Sequence, residues 1–176
     1  MKLQAVIVVA ATVAMSSSIF AQTNTIPNPL IDYAAFQQQV KGVGPLREKH
    51  RLTEDQFIQA SIEPDTIILD ARSSDKYAMV HIKGAKNVPL TDFTATELAK
   101  VIPSKTARIL IYCNNNFLNS PRAFASKAPA ASLNLYTFNN LVSYGYTNVY
   151  ELGPLVNIHG TKLSLEGTDM ISNPRP

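Results

Sequence analysis

A short apolar run that ends on the chain's single cysteine constrains the fold more than any other stretch. The run comprises Ile109 to Tyr112 and is followed directly by Cys113. Because the run is rich in β-branched and aromatic residues, it predicts a strand that is buried on both faces, as in a parallel sheet covered by helices. Ser120 and Pro121 favour the start of a helix. We therefore expect Cys113 to lie between a central strand and a helix N-terminus.

This position indicates a chemical role for the thiol. Open α/β sheets bind anions and substrates where strand ends face helix N-termini. The helix dipole there favours the thiolate, which is the nucleophilic form of cysteine. Cys113 is therefore a candidate nucleophile, and the alternative is a small buried residue that ends a core strand.

The N-terminal residues predict export. Residues 3–14 are almost wholly apolar and follow a lysine, and residues 16–21 suit a cleavage region, which is typical of a secretory signal peptide. The apolar segment is shorter than the roughly 20 residues of a membrane span. We expect cleavage near Ala21 and a periplasmic or secreted mature chain without a membrane span. A lone cysteine in an exported protein indicates a reactive thiol or an intermolecular partner.

Helices and strands alternate along the rest of the chain. This alternation predicts a single α/β domain with a largely parallel sheet. Strands are predicted over residues 66–71, near 87–88, over 109–112 and over 148–152. Helices are predicted over residues 31–40, through 57–58, through 77–79, through 98–102, over 122–128 and over 133–144, with a loop at 41–45. Capping boxes at residues 53–56 and 94–97 are predicted to begin the helices through 57–58 and 98–102.

Charge and histidine spacing argue against two kinds of partner. The net charge of +3 is dispersed along the chain, so a nucleic-acid partner is not indicated. A structural zinc site needs about four Cys or His ligands at close spacing. Because Cys113 and the three histidines are widely separated, no metal is expected; the histidines are His50, His81 and His159.

Three segments of the chain form a recognisable set: Ile68–Leu90, Ile109–Cys113 and Gly145–Leu152. Together they resemble the rhodanese (sulfurtransferase) homology domain, and they occur in the order typical of that family. The resemblance implies a rhodanese-like three-layer α/β domain, in which helices cover both faces of a central, largely parallel five-stranded sheet. We expect a signal peptide at residues 1–21, an N-terminal extension at 22–50, the rhodanese-like domain at 51–165 and a C-terminal tail at 166–176.

The resemblance also implies a function for Cys113. In this family the cysteine takes sulfane sulfur as a persulfide from a small sulfur-containing donor and passes it to a thiol or cyanide-like acceptor, without a metal or organic cofactor. Backbone N–H groups of a tight loop would stabilise the ionised sulfur. Structural roles near the site are expected for Asp70, Arg72 and His81. Substrate-binding loop residues are expected to be Asn114, Asn115, Asn116, Phe117, Leu118, Asn119, Ser120 and Arg122.

The loop after the cysteine departs from the family pattern. Sulfurtransferases of this family usually carry an arginine soon after the cysteine, whereas the first arginine here is Arg122, nine residues on. An anion is held best by a bidentate arginine, so this loop is expected to hold thiosulfate less well. The phosphatase pattern, with arginine six residues after the cysteine, is not met because Asn119 stands there. Two functions remain open: a sulfurtransferase-like carrier, and a catalytically silent module that binds a partner protein or small anion.

Overall fold

The computed structural model describes residues 26–172 and the side chains of residues 26–170. The predicted signal peptide at residues 1–21 lies outside the described residues. Residues 26–32 contain a turn in which the Ile31 N–H donates to the Asn28 carbonyl oxygen at 3.2 Å. The residues from Tyr33 onward belong to a separate compact unit. No helix within residues 26–172 has both the length and the apolarity that crossing a bilayer requires.

The strands of the described residues form one central and two smaller sheets. They are β1 (Arg51–Leu52), β2 (Thr66–Asp70), β3 (His81–Ile82), β4 (Lys86–Asn87), β5 (Arg108–Tyr112), β6 (Phe117–Leu118), β7 (Val149–Leu152), β8 (Val156–Asn157) and β9 (Leu165–Glu166). Five of them form the central sheet, in the order β1-β7-β5-β2-β4. Every neighbouring pair in this sheet is parallel, which confirms the predicted α/β architecture. The two smaller sheets pair β3 with β9 and β6 with β8.

Helices cover both faces of the central sheet. Two of them begin at capping side chains that the sequence predicts: the Gln56 N–H donates to Thr53 Oγ1 at 3.3 Å, and the Glu97 N–H donates to Thr94 Oγ1 at 3.1 Å. The helices are α1 (Tyr33–Lys49), α2 (Glu54–Ser61), α3 (Ser74–Met79), α4 (Ala95–Val101), α5 (Leu133–Ser143) and α6 (Thr168–Ser172). Short 3₁₀ turns lie at Leu90–Asp92, Asn114–Asn116 and Pro129–Ala131.

The central strand β5 contributes to an apolar core on each side of the sheet. Ile109 and Ile111 pack with residues of α1, α4 and α5. Leu110 and Tyr112 face the other side and pack with residues of α2 and of the chain after Cys113. All four side chains are 1 % exposed or less, so the predicted burial of this strand on both faces is confirmed. Cys113 consequently follows a strand whose position is fixed from both sides.

The predicted loop at residues 41–45 is wrong, because α1 continues through Gly42, Gly44 and Pro45. These residues disfavour a helix interior. However, Val43 is buried and Leu46 packs against the core beside α5. Most helix stability in proteins comes from such packing rather than from propensity, so tertiary contacts outweigh the local signal here.

The predicted helix over residues 122–128, with its start at Ser120 and Pro121, is also wrong. The chain turns at residues 121–123 and has no regular structure over 125–128. Ala123 and Phe124 are almost fully buried in the core next to Tyr112. The backbone is therefore positioned by side-chain packing, and the next helix, α5, begins only at Leu133.

Candidate functional site

Cys113 follows β5 at the carboxyl edge of the central sheet. Its N–H donates to Asn116 Oδ1 at 2.9 Å, and the Asn116 N–H donates to the Cys113 carbonyl oxygen at 3.2 Å. This reciprocal pair holds the 3₁₀ turn Asn114–Asn116 directly against the cysteine. The residue is 1 % exposed, so any reagent must reach the sulfur through a cavity.

A cavity of about 220 Å³ has Cys113 in its wall. It forms where the carboxyl ends of β1, β5 and β7 meet, because neighbouring parallel strands end at the same edge of a sheet. Helix α1 and the segment that leads into α5 close it from the sides. The other lining residues are Arg47, Arg51, Asn115, Asn116, Pro129, Ser132, Asn134, Leu135, Glu151, Leu152 and Gly153.

The helix N-terminus beside the sulfur is that of α5. Ser132 is the N-cap residue of α5, and its Oγ lies 3.5 Å from Cys113 Sγ. The positive end of the α5 dipole therefore lies near the sulfur, where negative charge is favoured. The predicted juxtaposition of cysteine and helix N-terminus is present, but the helix is a different one from that expected after Ser120.

Two arginines bring positive charge to this cavity. Arg47 Nη2 lies 2.5 Å from Glu151 Oε1, and Arg47 Nε donates to Glu151 Oε2 at 3.0 Å. Arg51 Nε lies 3.2 Å from Glu151 Oε1. Burial raises the pKa of Glu151 above its ordinary value, although the guanidinium of Arg47 acts in the opposite direction. The cavity wall thus holds two guanidinium groups around one carboxylate.

Side-chain amides fix the chain around the cysteine. Asn116 Nδ2 donates to the carbonyl oxygens of Leu152 at 2.7 Å and Pro154 at 3.1 Å. Asn134 Nδ2 donates to Asn116 Oδ1 at 3.1 Å. Asn115 bonds to the backbone of Lys127 through both its amide nitrogen and its oxygen. An irregular segment lacks the backbone hydrogen bonds of a helix or sheet. The asparagine side chains order the loop because they pair with its backbone groups instead.

Of the predicted loop residues, only Asn115 and Asn116 line the Cys113 cavity. Asn114 lines a separate cavity of about 390 Å³, together with Arg72 and Lys76. Phe117 is 1 % exposed and packs on Phe124, with ring centroids 4.3 Å apart. Phe117 thus anchors the loop in the apolar core.

The later loop residues lie away from the sulfur. Leu118 pairs with Asn157 in the small sheet, and Asn119 Nδ2 donates to Asn157 Oδ1 at 3.1 Å. The Ser120 carbonyl oxygen accepts from the Phe124 N–H at 2.8 Å. The side chain of Arg122 is 76 % exposed and its Nη1 lies 3.9 Å from an oxygen of Asp169. The loop therefore runs from Cys113 to β8 and does not wrap around the sulfur.

Asp70 and Arg72 form a buried ion pair at the end of β2. Arg72 Nη2 lies 2.6 Å from Asp70 Oδ2, and the two side chains are 1 % and 0 % exposed. Arg72 also donates to the carbonyl oxygens of Val80 at 2.7 Å and Ala123 at 2.9 Å. The pair thereby connects the chain at Ala123, after the loop that follows Cys113, to β2, the strand next to β5.

Tyr112 extends this buried network towards β3. Its hydroxyl donates to Asp70 Oδ2 at 2.6 Å and accepts from the Ile82 N–H at 3.1 Å. Burial and then the Asp70 carboxylate hold the pKa of Tyr112 well above its ordinary value, so the hydroxyl keeps its proton and remains a donor. The guanidinium of Arg72 stacks on Phe124, 4.1 Å from the ring centroid.

His81 takes part in the fold of its turn and does not line the Cys113 cavity. Its Nδ1 lies 2.7 Å from the Tyr77 carbonyl oxygen, so this nitrogen carries a proton. Its Nε2 lies 3.2 Å from Glu166 Oε1, and its ring stacks on Tyr77 at a centroid distance of 3.7 Å. These contacts join α3 to β9.

Several residues of the cavity carry no sequence signal that points to Cys113. Arg47 and Glu151 are 104 residues apart in the chain, and only the tertiary fold brings them together. Ser132 was detectable as a residue type that often caps a helix, since it precedes the predicted helix at Leu133. Within the described residues there is no group of three or more His, Cys, Asp or Glu side chains that could hold a metal ion.

Comparison with known proteins places the chain among rhodanese-like sequences and folds. The family model described as "Rhodanese-like domain" matches residues 53–153. No significant match is found among curated proteins. The rhodanese-like domain of an Anabaena sp. protein aligns with a TM-score of 0.50 at 22% identity, covering 72% of this chain and 86% of that domain.

Two further structures align less closely. A Bacillus halodurans protein has a TM-score of 0.47 at 18% identity, with 77% of this chain and 85% of that chain covered. Thiosulfate sulfurtransferase from Pseudomonas aeruginosa has a TM-score of 0.46 at 21% identity, with 73% of this chain and 23% of that chain covered.

Proposed function

Because this chain belongs to the rhodanese-like domain family, we propose that it carries sulfane sulfur as a persulfide on Cys113. A small sulfur-containing donor supplies the sulfur atom, and a thiol or cyanide-like acceptor removes it. The observation that carries the proposal is the position of Cys113 in the wall of a cavity that two arginines also line. No metal or organic cofactor is needed for this chemistry.

The proposed reaction has two displacement steps and no net oxidation. The Cys113 thiolate attacks the outer sulfur of the donor, a new S–S bond forms, and the donor's remaining part leaves with the electron pair of its broken bond. A nucleophilic acceptor then attacks the outer sulfur of the persulfide. The bond to Cys113 breaks and the thiolate is restored. Negative charge therefore resides on sulfur at the start, in the middle and at the end of the cycle.

The cavity contains groups that favour this charge. The N-terminus of α5 lies beside the sulfur, as the contact between Ser132 Oγ and Cys113 Sγ shows. Arg47 and Arg51 supply the guanidinium groups that the uncharged loop lacks. Glu48 and Glu151 each pair with both arginines, so an anionic donor would bind there by displacing a carboxylate from a guanidinium group.

A silent module that binds a partner protein or small anion is the second candidate. Two observations favour it: Cys113 is 1 % exposed, and the loop from Phe117 onward is engaged with β8 rather than with the sulfur. In such a protein the cavity would hold an anion without covalent chemistry. The two candidates differ in whether Cys113 gains sulfur.

Intact-mass measurement separates the candidates. The purified protein is incubated with thiosulfate or inorganic polysulfide, desalted and weighed by mass spectrometry. We expect a gain of one sulfur atom that cyanide removes and that the Cys113→Ser variant never acquires. Absence of the adduct with both donors would favour the silent module.

A pair of arginine variants tests which arginine side chain binds the sulfur donor. Arg47→Gln removes a cavity guanidinium, and we expect kcat/KM for sulfur uptake from thiosulfate to fall by about tenfold or more, the usual consequence of losing a charge-assisted hydrogen bond. Arg122→Gln is the matched control, since its side chain is 76 % exposed and lies near Asp169. A loss in Arg122→Gln with none in Arg47→Gln would instead support the loop arginine that the sequence suggests.

Export is a further part of the proposal. Its support is the apolar segment at residues 3–14, followed by residues 16–21, which suit a cleavage region and end on Ala21. Expression of the full chain in a bacterial host, followed by periplasmic extraction and N-terminal sequencing, tests it. We expect a mature N-terminus near residue 22, and a cytosolic chain that keeps residues 1–21 would contradict export.

A further inference from the structure

A groove between α1 and α5 lies beside the Cys113 cavity. Its volume is about 510 Å³, within the roughly 300–1,000 Å³ typical of small-molecule sites. Six of its eleven lining residues have apolar side chains. They are Phe36, Val40, Val43, Ala130, Leu135 and Tyr136.

Some of these apolar side chains are left partly in solvent. Phe36 is 43 % exposed, Val40 46 % and Tyr136 42 %. Covering such surface with an apolar group is favourable by about 25 cal/mol for each Å² removed from water. The groove is therefore suited to an alkyl or aryl chain.

The groove and the sulfur cavity are neighbouring spaces. Arg47 and Leu135 line both of them. Lys41 and Arg47 place cationic groups on this groove, and Arg47 is paired there with Glu48 and Glu151. A ligand that spans both spaces would carry its negative charge near Arg47 and its apolar body between the helices.

Resting on the proposed sulfur transfer, we propose that the sulfur acceptor is a small amphiphilic thiol. Its thiolate attacks at Cys113 and its alkyl or aryl tail lies in the groove between α1 and α5. A small molecule fits better than a folded partner protein, because Cys113 is 1 % exposed and its cavity measures only about 220 Å³. A slender head can enter such a space, whereas a cysteine on a protein surface would need the site to open.

The transfer step balances without any other reagent. The acceptor thiolate attacks the outer sulfur of the Cys113 persulfide and forms a new S–S bond. The bond between the outer sulfur and Cys113 breaks, and Cys113 leaves as thiolate with the electron pair. The product is the acceptor persulfide, and nothing is oxidised or reduced overall.

A homologous series of thiols tests the groove. The full mature chain is loaded with sulfur, and transfer is measured to α-mercaptopropionate, α-mercaptobutyrate, α-mercaptohexanoate and α-mercaptooctanoate. These acceptors share the thiol and carboxylate and differ only in tail length. We expect kcat/KM to rise by about threefold for each methylene that the groove buries.

Two variants locate the tail. Val40→Asp places a charge in the groove, and we expect the ratio of kcat/KM between the longest and the shortest thiol to fall by at least tenfold. Ile62→Asp is the matched control, because Ile62 is an apolar residue, 74 % exposed, at the end of α2 and outside the groove. Its ratio should equal that of the unchanged protein.

Failure of this inference is distinguishable from failure of the proposed function. Equal kcat/KM along the series, or a length preference that Val40→Asp leaves intact, overturns the groove while sulfur transfer stands. Calorimetric titration of the Cys113→Ser variant with α-mercaptooctanoate tests the groove without chemistry. If no persulfide forms, tight binding of α-mercaptooctanoate to Cys113→Ser still supports the groove, provided that adding Val40→Asp weakens this binding. Absence of binding overturns the groove proposal. A dimer that Val40→Asp dissociates would show that a second copy covers this face, and would also overturn it.

Discussion

Among single residues, Arg72 needs a counter-ion inside the protein, because its charged side chain is 1 % exposed. Asp70 neutralises the guanidinium, and Tyr112 donates to the same carboxylate. Removing one partner of a buried ion pair is far more costly than removing the pair, because the remaining charge has lost both water and its counter-ion. The structural role that the sequence suggests for Asp70 and Arg72 can therefore be tested by unequal losses of stability.

We predict that Asp70→Asn lowers the free energy of unfolding by about 3–5 kcal/mol, because it leaves Arg72 buried without a counter-ion. Tyr112→Phe should cost about 1–3 kcal/mol, since it deprives the Ile82 N–H of its acceptor. Urea denaturation monitored by circular dichroism measures both values.

The matched control for these variants is Asp55→Asn. Its carboxylate is 71 % exposed and pairs with Lys162 on the surface, so the change should stay within about 0.5 kcal/mol. A loss in Asp70→Asn no larger than that of the control would show that the buried pair does not hold the loop.

At the scale of secondary-structure elements, local signals succeed where a segment satisfies its own hydrogen bonds. The boxes at Thr53 and Thr94 predict α2 and α4 because capping needs only residues three positions apart. The apolar run before Cys113 predicts β5 for a different reason: its composition indicates burial on both faces, whereas its backbone hydrogen bonds go to β2 and β7. The sequence-based prediction ends α1 too early. The reason is that Val43 and Leu46 are stabilised by packing against α5, which lies far along the chain.

Two glycines differ in whether the structure has room for a larger side chain. Gly42 lies inside α1, and an added methyl group there would have no heavy atom within 4 Å. Gly42→Ala should therefore raise the free energy of unfolding by about 0.5–1 kcal/mol. Gly167 has φ +134°, and a methyl group there would collide with the Met79 carbonyl oxygen. Gly167→Ala should destabilise the protein by more than Gly42→Ala stabilises it.

Thermal unfolding by scanning calorimetry reports both glycine variants under one set of conditions. We expect the midpoint to rise for Gly42→Ala and to fall for Gly167→Ala. A fall for Gly42→Ala would mean that the glycine in α1 serves a contact other than the helix itself. No change for Gly167→Ala would mean that the turn before α6 readily rearranges.

At the scale of the whole molecule, the candidate site illustrates what a single sequence cannot predict. Cys113 is identifiable because its own neighbours define a strand end. Arg47, Arg51 and Glu151 reach the same cavity from α1, β1 and β7, and no local pattern records that convergence. Arg122 is the arginine nearest after Cys113 in the chain, yet its exposed side chain lies beside Asp169. Distance along the chain and distance in space are decoupled in a fold built from parallel strands with crossovers.

The same reasoning predicts that the segment matched by the family model, residues 53–153, is smaller than the cooperative folding unit. Val43 precedes the segment, and Val156, Ile158 and Leu163 follow it, yet all four side chains are buried in the core. Exposing each would cost about 1–3 kcal/mol, and their sum is comparable to the typical net stability of about 5–15 kcal/mol. The shortened chain would also lose β1 beside β7 and β8 beside β6.

We expect residues 33–172 to unfold in one cooperative transition and residues 53–153 to show none, with circular dichroism and tyrosine fluorescence as independent probes. A cooperative transition of residues 53–153 at the same urea midpoint would show that α1 and the last strands are accessories to a core that folds without them.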